Sequence, residues 1–328
     1  MKILIITSEW PSEQRPNAVP FLVREVDQIK KMGIQMEVFS FRGNKRFKNY
    51  FESRKRLKKI IQNKKFDIIH VHWGYNAIIL LPTNIPIVIT YRGDDLNGIS
   101  YMGGATNILK SFLVIIISKF VSFFASSIIL VSQNFKVKLN ENTPTFLIPS
   151  GIDLDLFKPL DKKMCRSLLK LDKNKKIILF AGNKTDLVKN YSLADKIVKI
   201  IKKSLINVVM ISIPFNTDKE LIPYYMNSAD CLLFTSFQEG SPNVIKEALA
   251  CNIPIVSADV GDVKDRLENI KGCIVCNSYN ADEFASSVKE ILDKEYKIDG
   301  RSNVLSLDLK NTAKDIIKVY KNIIDNDK

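Results

Sequence analysis

The stretch Phe237-Gln-Glu-Gly-Ser-Pro-Asn-Val-Ile-Lys-Glu-Ala-Leu-Ala-Cys-Asn-Ile-Pro-Ile-Val256 decides how this chain folds. It follows a short apolar run, Cys231–Thr235, which predicts a buried strand. Ser241 is a preferred N-cap and Pro242 suits the first helical position, so a helix is predicted to begin there. Apolar residues then recur at helical spacing until Asn252, and a second strand, IPIV, follows. This strand–loop–helix–strand order is typical of a parallel α/β sheet.

The loop before this helix is predicted to bind an anion. A loop that leaves the carboxyl end of a strand and enters a helix presents unpaired N–H groups, and phosphate is their usual ligand. Glu239 lies on the loop, and Glu247 lies about 9 Å further along the axis from the predicted cap at 1.5 Å per residue. A diphosphate between a sugar and a ribose occupies such a gap, so Glu247 is expected to accept from a ribose diol and Glu239 from a sugar hydroxyl. The alternative is an ordinary helix with two exposed glutamates.

The same residues, E-G-S-P-N-V-x-x-E-A-x-A-C-x-x-P-I-V, resemble the donor-site signature of family 4 of the retaining glycosyltransferases. A second stretch, Pro149–Pro159, resembles the P-x-G-[IV]-D-x-x-x-F-x-P turn that leads from the first domain of those enzymes into the second. The resemblance implies the GT-B fold, an α/β architecture of two Rossmann-like domains facing each other across a cleft. The domains expected are an acceptor-side domain at 1–155, a donor-binding domain at 156–306 and a C-terminal helix at 307–328 that crosses back to the first domain.

The resemblance also assigns a donor site. Lys189 matches a lysine that binds the diphosphate in relatives, whereas their arginine near Gly182 is missing and Lys184 is the cation nearest that place. Lys189 and the helix N-terminus would stabilise charge on the leaving diphosphate, Glu247 would anchor the ribose, and Glu239 would support an oxocarbenium-like transition state. The donor-binding residues expected on this basis are Gly182, Asn183, Lys184, Lys189, Glu239, Gly240, Ser241, Pro242, Asn243, Val244 and Glu247.

Two strand ends in the first half are expected on the acceptor side. The only two histidines alternate along Phe66–His72, so they point to one face of a strand, and no third metal ligand accompanies them. Relatives often carry a histidine in the turn after the next strand, where this chain has Arg92, and arginine suits an anionic acceptor or a sugar hydroxyl. A simple turn at Gly93–Asp94 is the alternative. The resemblance gives Glu239, Arg92 and Lys189 as catalytic residues, and His72, Arg92, Asp94 and Asp95 as acceptor-side residues.

Bulk properties are typical of a globular chain of two α/β domains. The 328 residues are 46% hydrophobic, with a mean hydropathy of −0.01. The first apolar run is short and predicts a strand, so no signal peptide is expected, and five cysteines suit a reducing compartment. The apolar run 109–131 is interpreted as a buried helix, 107–124, and a strand, 127–132, because Lys119 interrupts it as a membrane span.

The positive charge is concentrated in the first half. The net charge is +14, and residues 1–150 hold 21 Lys/Arg against 10 Asp/Glu. Segment 42–65 alone holds 11 Lys/Arg and one acidic residue, Glu52, with aromatic residues interleaved. Such a segment suits an anionic membrane surface. The alternative is a solvated helix with its apolar face in the core. Nucleic acid is not expected, since no nucleic-acid-binding motif accompanies the charge.

These patterns and the resemblance together predict a cytoplasmic retaining glycosyltransferase, peripheral on the inner face of the membrane. It would move a sugar from a nucleoside-diphosphate donor, most commonly UDP-linked in the family, to a hydroxyl of a lipid-linked or polysaccharide acceptor in bacterial surface glycan synthesis. No metal or other cofactor is expected. The alternatives are a nucleotide-sugar epimerase or sugar phosphorylase, and a non-catalytic nucleotide-sugar-binding module, on the same fold.

Overall fold

The computed structural model divides into two compact units. Unit 1 comprises Met1–Gly151 with Leu309–Lys328, and unit 2 comprises Ile152–Asp308. The sequence placed these divisions after residue 155 and before residue 307. Within unit 2 the Ile152 N–H donates to the carbonyl of Leu307 at 2.8 Å, which ties the two ends of this unit together. The residues that the structure describes are 1–42, 47–98, 105–135, 139–214 and 217–326.

Unit 1 is built on a six-stranded sheet. Its strands are β1 (Lys2–Thr7), β2 (Gln35–Ser40), β3 (Ile68–His72), β4 (Ile87–Tyr91), β5 (Ser127–Leu130) and β6 (Thr145–Leu147). All pair in parallel, in the order β2-β1-β3-β4-β5-β6. The β3 and β4 strands are buried along their whole length, as expected of a parallel sheet with helices on both faces.

Helices cover the two faces of the unit 1 sheet in separate apolar clusters. One cluster packs Leu22 of the first helix and Ile316 of the last helix against β1 and β3, and the other packs Leu57 and Val121 against the opposite face. The last helix therefore belongs to unit 1, although the whole of unit 2 separates it in sequence from the rest of that unit. The helices of this unit are α1 (Pro20–Lys31), α2 (Phe47–Asn63), α3 (Asp94–Asn97), α4 (Ala105–Ser122) and α11 (Leu309–Asn326).

Unit 2 repeats the same architecture on a five-stranded sheet. Its strands are β7 (Lys176–Phe180), β8 (Val208–Ser212), β9 (Cys231–Phe234), β10 (Ile255–Ala258) and β11 (Cys273–Cys276). Its helices are α5 (Lys162–Leu168), α6 (Tyr191–Lys202), α7 (Ile222–Ser228), α8 (Asn243–Ala250), α9 (Val263–Leu267) and α10 (Ala281–Lys294). The strands pair in parallel in the order β11-β10-β9-β7-β8. The carboxyl ends of β7 and β9 therefore meet at one edge.

The start of α8 differs from the sequence prediction. The helix begins at Asn243, and Pro242 is its N-cap residue, with φ −69° and ψ 118°. Ser241 is not the N-cap, because its hydroxyl donates to Oδ2 of Asp262 at 2.8 Å. A residue before proline is also held away from helical backbone, so the helix starts later.

The apolar run at 109–131 also differs from its prediction. It folds into α4 and β5 as a helix followed by a strand, but the helix is not buried. Phe112, Phe120 and several other large apolar side chains along it are exposed. The spacing of apolar residues in a sequence identifies an apolar helix face, but it does not show whether that face packs on the core or faces solvent. Within the described ranges, no helix is long and apolar enough to cross a membrane.

The basic segment 42–65 forms α2 from Phe47 onward, and its residues 43–46 lie outside the described part of the chain. Leu57 is buried, and Tyr50, Ile60 and Ile61 pack partly buried against the core. The helix thus places its aliphatic face in the core, and its lysines face solvent.

Candidate donor-binding site

A cavity of about 500 Å³ opens at the carboxyl edge of the unit 2 sheet. Ligands of open α/β sheets bind outside the carboxyl ends of the strands. A larger cavity, about 820 Å³, lies at the opposite edge, where Lys176 begins β7 and Pro254 precedes β10. The smaller cavity therefore has the position expected of the site. It is lined by Ala181, Gly182, Asn183, Lys184, Ser212, Ile213, Pro214, Ile222, Met226, Val244 and Glu247.

Two of the expected catalytic residues contact each other beside this cavity. The Nζ of Lys189 lies 2.5 Å from Oε1 of Glu239, and the two side chains are 29% and 17% exposed. A Cβ added to Gly182 would lie 3.1 Å from the Cβ and Cγ of Lys189, so the lysine stem packs against the cavity wall. The structure thus brings a cation and a carboxylate, 50 residues apart in sequence, to one place.

The loop after β9 is fastened to the loop that carries Lys189. The hydroxyl of Thr235 donates to the carbonyl of Lys189 at 2.9 Å, and the Phe237 N–H donates to the carbonyl of Val188 at 2.8 Å. Tyr279 packs its ring on Phe237 and donates its hydroxyl to a neighbouring carbonyl. These contacts fix the Lys189–Glu239 pair from both sides, and they involve Thr235 and Tyr279, which sequence reasoning missed.

A buried polar cluster supports the start of α8 from below. Asp262 accepts from Ser241 and from Nε of Arg266 at 3.0 Å, and the fully buried Lys246 donates to the Ser241 hydroxyl at 3.2 Å. Gly261 adopts φ +59°, and a Cβ there would lie 2.5 Å from the carbonyl oxygen of Gly240. This glycine turn follows β10, and the adjacent pairing of β9 and β10 brings it under the donor loop.

The remaining donor-side residues surround the same cavity with different roles. The Asn183 amide oxygen accepts from the backbone N–H and the hydroxyl of Thr185, so it shapes its own loop. Lys184 lies with its Nζ 5.0 Å from the ring centroid of Tyr191. Glu247 is half-buried and lines the cavity one helical turn into α8.

On unit 1, Arg92 and His72 are brought together but both are turned inward. The Arg92 guanidinium binds Oε1 of Glu25 at 2.9 Å, the Ser150 hydroxyl at 2.8 Å and Nδ1 of His72 at 3.0 Å. Its positive charge also faces the ring of Phe21 at 4.9 Å. Arg92 and Glu25 each have a side chain only 5% exposed, so this is a buried ion pair. Glu25 was not identified from the sequence.

The ring of His72 lies against that of His70, which is hydrogen-bonded to the last helix. The rings of His70 and His72 lie 4.3 Å apart on one face of β3, as the alternation predicted. His70 shares hydrogen bonds with the hydroxyls of Tyr320 at 2.6 Å and Thr90 at 2.7 Å. Burial, and then the charge of Arg92, lowers the pKa of His70 to about 3, and burial lowers the pKa of His72 well below its ordinary value. Both imidazoles are therefore neutral near pH 7.

Asp95 is fully buried, and it closes the turn after β4. Its carboxylate accepts from the backbone N–H groups of Gly74, Arg92 and Gly93 at 3.0, 3.1 and 2.9 Å. Burial raises the pKa of this carboxyl, while those backbone donors lower it. The side chain of Asp94 lies outside what the structure describes. No cluster of three metal-ligating side chains occurs among the described residues.

The chain matches two family models, which divide within about ten residues of the boundary between Gly151 and Ile152. The model of Glycosyltransferase Family 4 matches residues 2–156, and that of Glycosyl transferases group 1 matches residues 162–305. Over 331 aligned residues the chain is 24% identical to the putative teichuronic acid biosynthesis glycosyltransferase TuaC of Bacillus subtilis, covering 80% of this chain and 82% of TuaC.

Several solved structures have the same fold. Sucrose-phosphate synthase of Thermosynechococcus elongatus has a TM-score of 0.81 at 15% identity, covering 99% of both chains. HepE of Anabaena, solved in complex with UDP, has a TM-score of 0.66 at 16% identity, covering 98% of this chain and all of that one. At such identities these likenesses show the fold alone. Both matched models are glycosyltransferase models, which does not favour the epimerase or phosphorylase alternatives. The chain belongs to family 4 of the glycosyltransferases and is an enzyme with the GT-B fold.

Proposed function

We propose that this enzyme transfers a sugar from a UDP-linked donor to an acceptor hydroxyl, with retention at the anomeric carbon. The observation that carries the proposal is the ion pair of Lys189 and Glu239 beside the cavity that Glu247 lines. A cation next to a helix N-terminus suits a diphosphate, and a carboxylate deeper along the same helix suits a ribose diol. Anabaena HepE, which shares the fold, holds UDP in one structure and UDP with glucose in another.

The residue roles follow from this geometry. Lys189 leaves Glu239 for the diphosphate and neutralises charge as the sugar–phosphate bond breaks, together with the N–H groups at the start of α8. Glu239, released from the lysine, accepts from a donor-sugar hydroxyl, and Glu247 accepts from the ribose. The enzyme needs no metal if these groups neutralise the diphosphate.

On the acceptor side, we propose that Arg92 acts by positioning. It binds Glu25, His72 and Ser150, and so holds the ends of β3 and β4 in register with the turn at Asp95. That buried pair is costly to break, because removing one partner leaves an uncompensated charge. The turn it holds would then present its backbone groups to the acceptor.

We propose a lipid-linked or polysaccharide acceptor and a peripheral location at the inner face of the membrane. The support is the relative named for teichuronic acid biosynthesis and the exposed cations of α2. Basic surfaces are attracted to the anionic lipid of that face.

Thermal-shift measurements against a panel of UDP- and GDP-linked sugars test the donor class. A donor present at 100 times its Kd stabilises the folded enzyme by about 2.7 kcal/mol, so a UDP-sugar is expected to raise the Tm by several degrees. Nuclear magnetic resonance of the product's anomeric proton then shows whether the product keeps the anomeric configuration of the donor. No stabilisation by any nucleotide sugar, or an inverted product, overturns the proposal.

A further inference from the structure

Helix α4 carries its large apolar side chains on the outside. Leu109, Phe112, Ile116, Phe120 and Phe123, the last in the turn after the helix, are spaced three or four residues apart and are between 46% and 61% exposed. This spacing places them on one face, which we name the α4 face. A contiguous apolar surface of this kind on a folded domain marks an interaction site.

The inward side of the same helix combines serines with β-branched apolar side chains, among them Val121, which is buried in the core. Ser118 and Ser122 are fully buried, and the Tyr91 hydroxyl donates to the carbonyl of Ser118 at 2.7 Å. Gly98 lies against Ser111, where an added Cβ would come within 3.1 Å of the serine Cβ. The helix therefore packs on the core through one side and also presents large apolar side chains on its other side, unlike an ordinary surface helix.

Cations flank this apolar face. Both α2 and α4 pack against the 3₁₀ turn Gly74–Ile79, and Arg54 of α2 donates to the carbonyl of Ile79 in that turn at 3.3 Å. On α2, Phe51 is 59% exposed and Lys55 lies 4.7 Å above its ring. The exposed cations of the two helices are Lys48, Lys55, Arg56, Lys58 and Lys59 on α2, and Lys110 and Lys119 on α4 itself.

We propose that the α4 face inserts into the interfacial region of an anionic lipid bilayer, with α2 lying on the headgroups. An in-plane helix of this kind buries its apolar side chains at the boundary of headgroups and acyl chains, while neighbouring cations contact phosphates. A second copy of the chain suits the face less well. Each copy carries a net charge of +14, and two such faces would bring their flanking lysines together.

The inference deepens the peripheral location proposed above, and it rests on that proposal only for the lipid-borne acceptor. Two different forces hold the enzyme on the bilayer: electrostatic attraction and insertion of apolar side chains. Attraction of α2 to anionic lipid weakens as salt shortens the screening length to about 3 Å near 1 M. Insertion of Phe112 and Phe120 does not depend on screening. Added salt and truncation of these side chains should therefore weaken vesicle binding independently of each other.

Vesicle flotation of the full chain tests the proposal. The variant is Phe112→Ser with Phe120→Ser, and the matched control is Ile206→Ser with Leu305→Ser, two side chains of unit 2 that are 86% and 52% exposed. On vesicles of phosphatidylglycerol and phosphatidylcholine, the first variant should partition at least about tenfold more weakly than wild type, since each buried CH₂ contributes. The control should stay within about twofold, as expected of exposed sites elsewhere.

A charge variant separates the two forces. Changing Lys55, Lys58 and Lys59 to Gln should weaken binding to anionic vesicles at low salt and have little effect at high salt. Equal binding of the Phe112→Ser, Phe120→Ser variant and wild type overturns the proposal, and so does equal binding of wild type to purely zwitterionic vesicles. A wild-type dimer in sedimentation velocity that this variant dissociates makes the face a contact between copies instead. UDP calorimetry without vesicles reports separately on the donor site.

Discussion

The ion pair between Lys189 and Glu239 gives a prediction in which activity and stability respond differently. In Lys189→Gln the pair is lost, but both side chains are partly exposed, at 29% and 17%, so the free energy of unfolding should fall by no more than about 1 kcal/mol. The rate should fall much further. Removing one preorganised donor to a developing negative charge typically costs about 10²–10³ in kcat, which is about 2.7–4 kcal/mol of transition-state stabilisation.

The assay pairs UDP release from the donor, with and without acceptor, with urea unfolding of the same protein. Lys196→Gln is the matched control, because Lys196 is an exposed lysine on the helix that follows Lys189. Its kcat should equal that of the wild type. The reasoning is refuted if Lys189→Gln retains a kcat within about threefold of wild type, or if it loses several kcal/mol of stability, which would make the lysine structural.

Three further predictions concern neighbouring groups. Glu239→Gln should keep donor affinity and lose about 10² or more in kcat, because its carboxylate acts as charge develops; calorimetry with single-turnover rates checks this, and equal losses in both would contradict it. Gly261→Ala, at φ +59° and 2.5 Å from the Gly240 oxygen, should lower stability by about 1–2 kcal/mol and weaken UDP binding, whereas unchanged melting and affinity would refute the packing. Since His70 has a pKa of about 3 when folded and about 6.5 when unfolded, the unfolded chain takes up its proton first as pH falls. The stability that His70 confers is thus full above pH 6.5 and is lost towards pH 3, by about 2 kcal/mol at pH 5, so His70→Gln should flatten the stability–pH curve measured in urea. An unchanged slope would contradict this.

The buried parallel strands were the part of the fold that the sequence predicted best. The run Cys231–Thr235 contains β9 and the stretch Phe66–His72 contains β3, as predicted. Such strands are covered on both faces, so their composition alone marks them. The start of α8 was predicted less well, because Ser241 is engaged by Asp262, 21 residues away, and no local pattern records that hydrogen bond. The outward apolar face of α4 was hidden for the same reason, since hydropathy does not say which face meets the core.

In the candidate site, too, some features could be predicted from the local sequence and others depend on residues distant in sequence. The spacing of Glu239 and Glu247 placed both carboxylates at one strand–helix junction, and strand order then gathered Lys189 and Gly182 beside them. The environment of Arg92 was not predictable from the turn that holds it. Glu25, 67 residues earlier, supplies its counter-charge and draws the guanidinium into the interior.

Calorimetric titration of UDP into the wild-type enzyme and Glu247→Ala tests the central claim most directly. The claim is that the cavity at the carboxyl edge of unit 2 holds a nucleoside diphosphate, with Glu247 on the ribose. Hydrogen bonds to a charged acceptor contribute about 1.5–3 kcal/mol, so Glu247→Ala should weaken UDP binding by at least about tenfold. Glu268→Ala, at an exposed glutamate elsewhere in unit 2, should bind as the wild type does. Equal affinity of Glu247→Ala and wild type for UDP, or no binding of UDP by the wild type, would contradict the account.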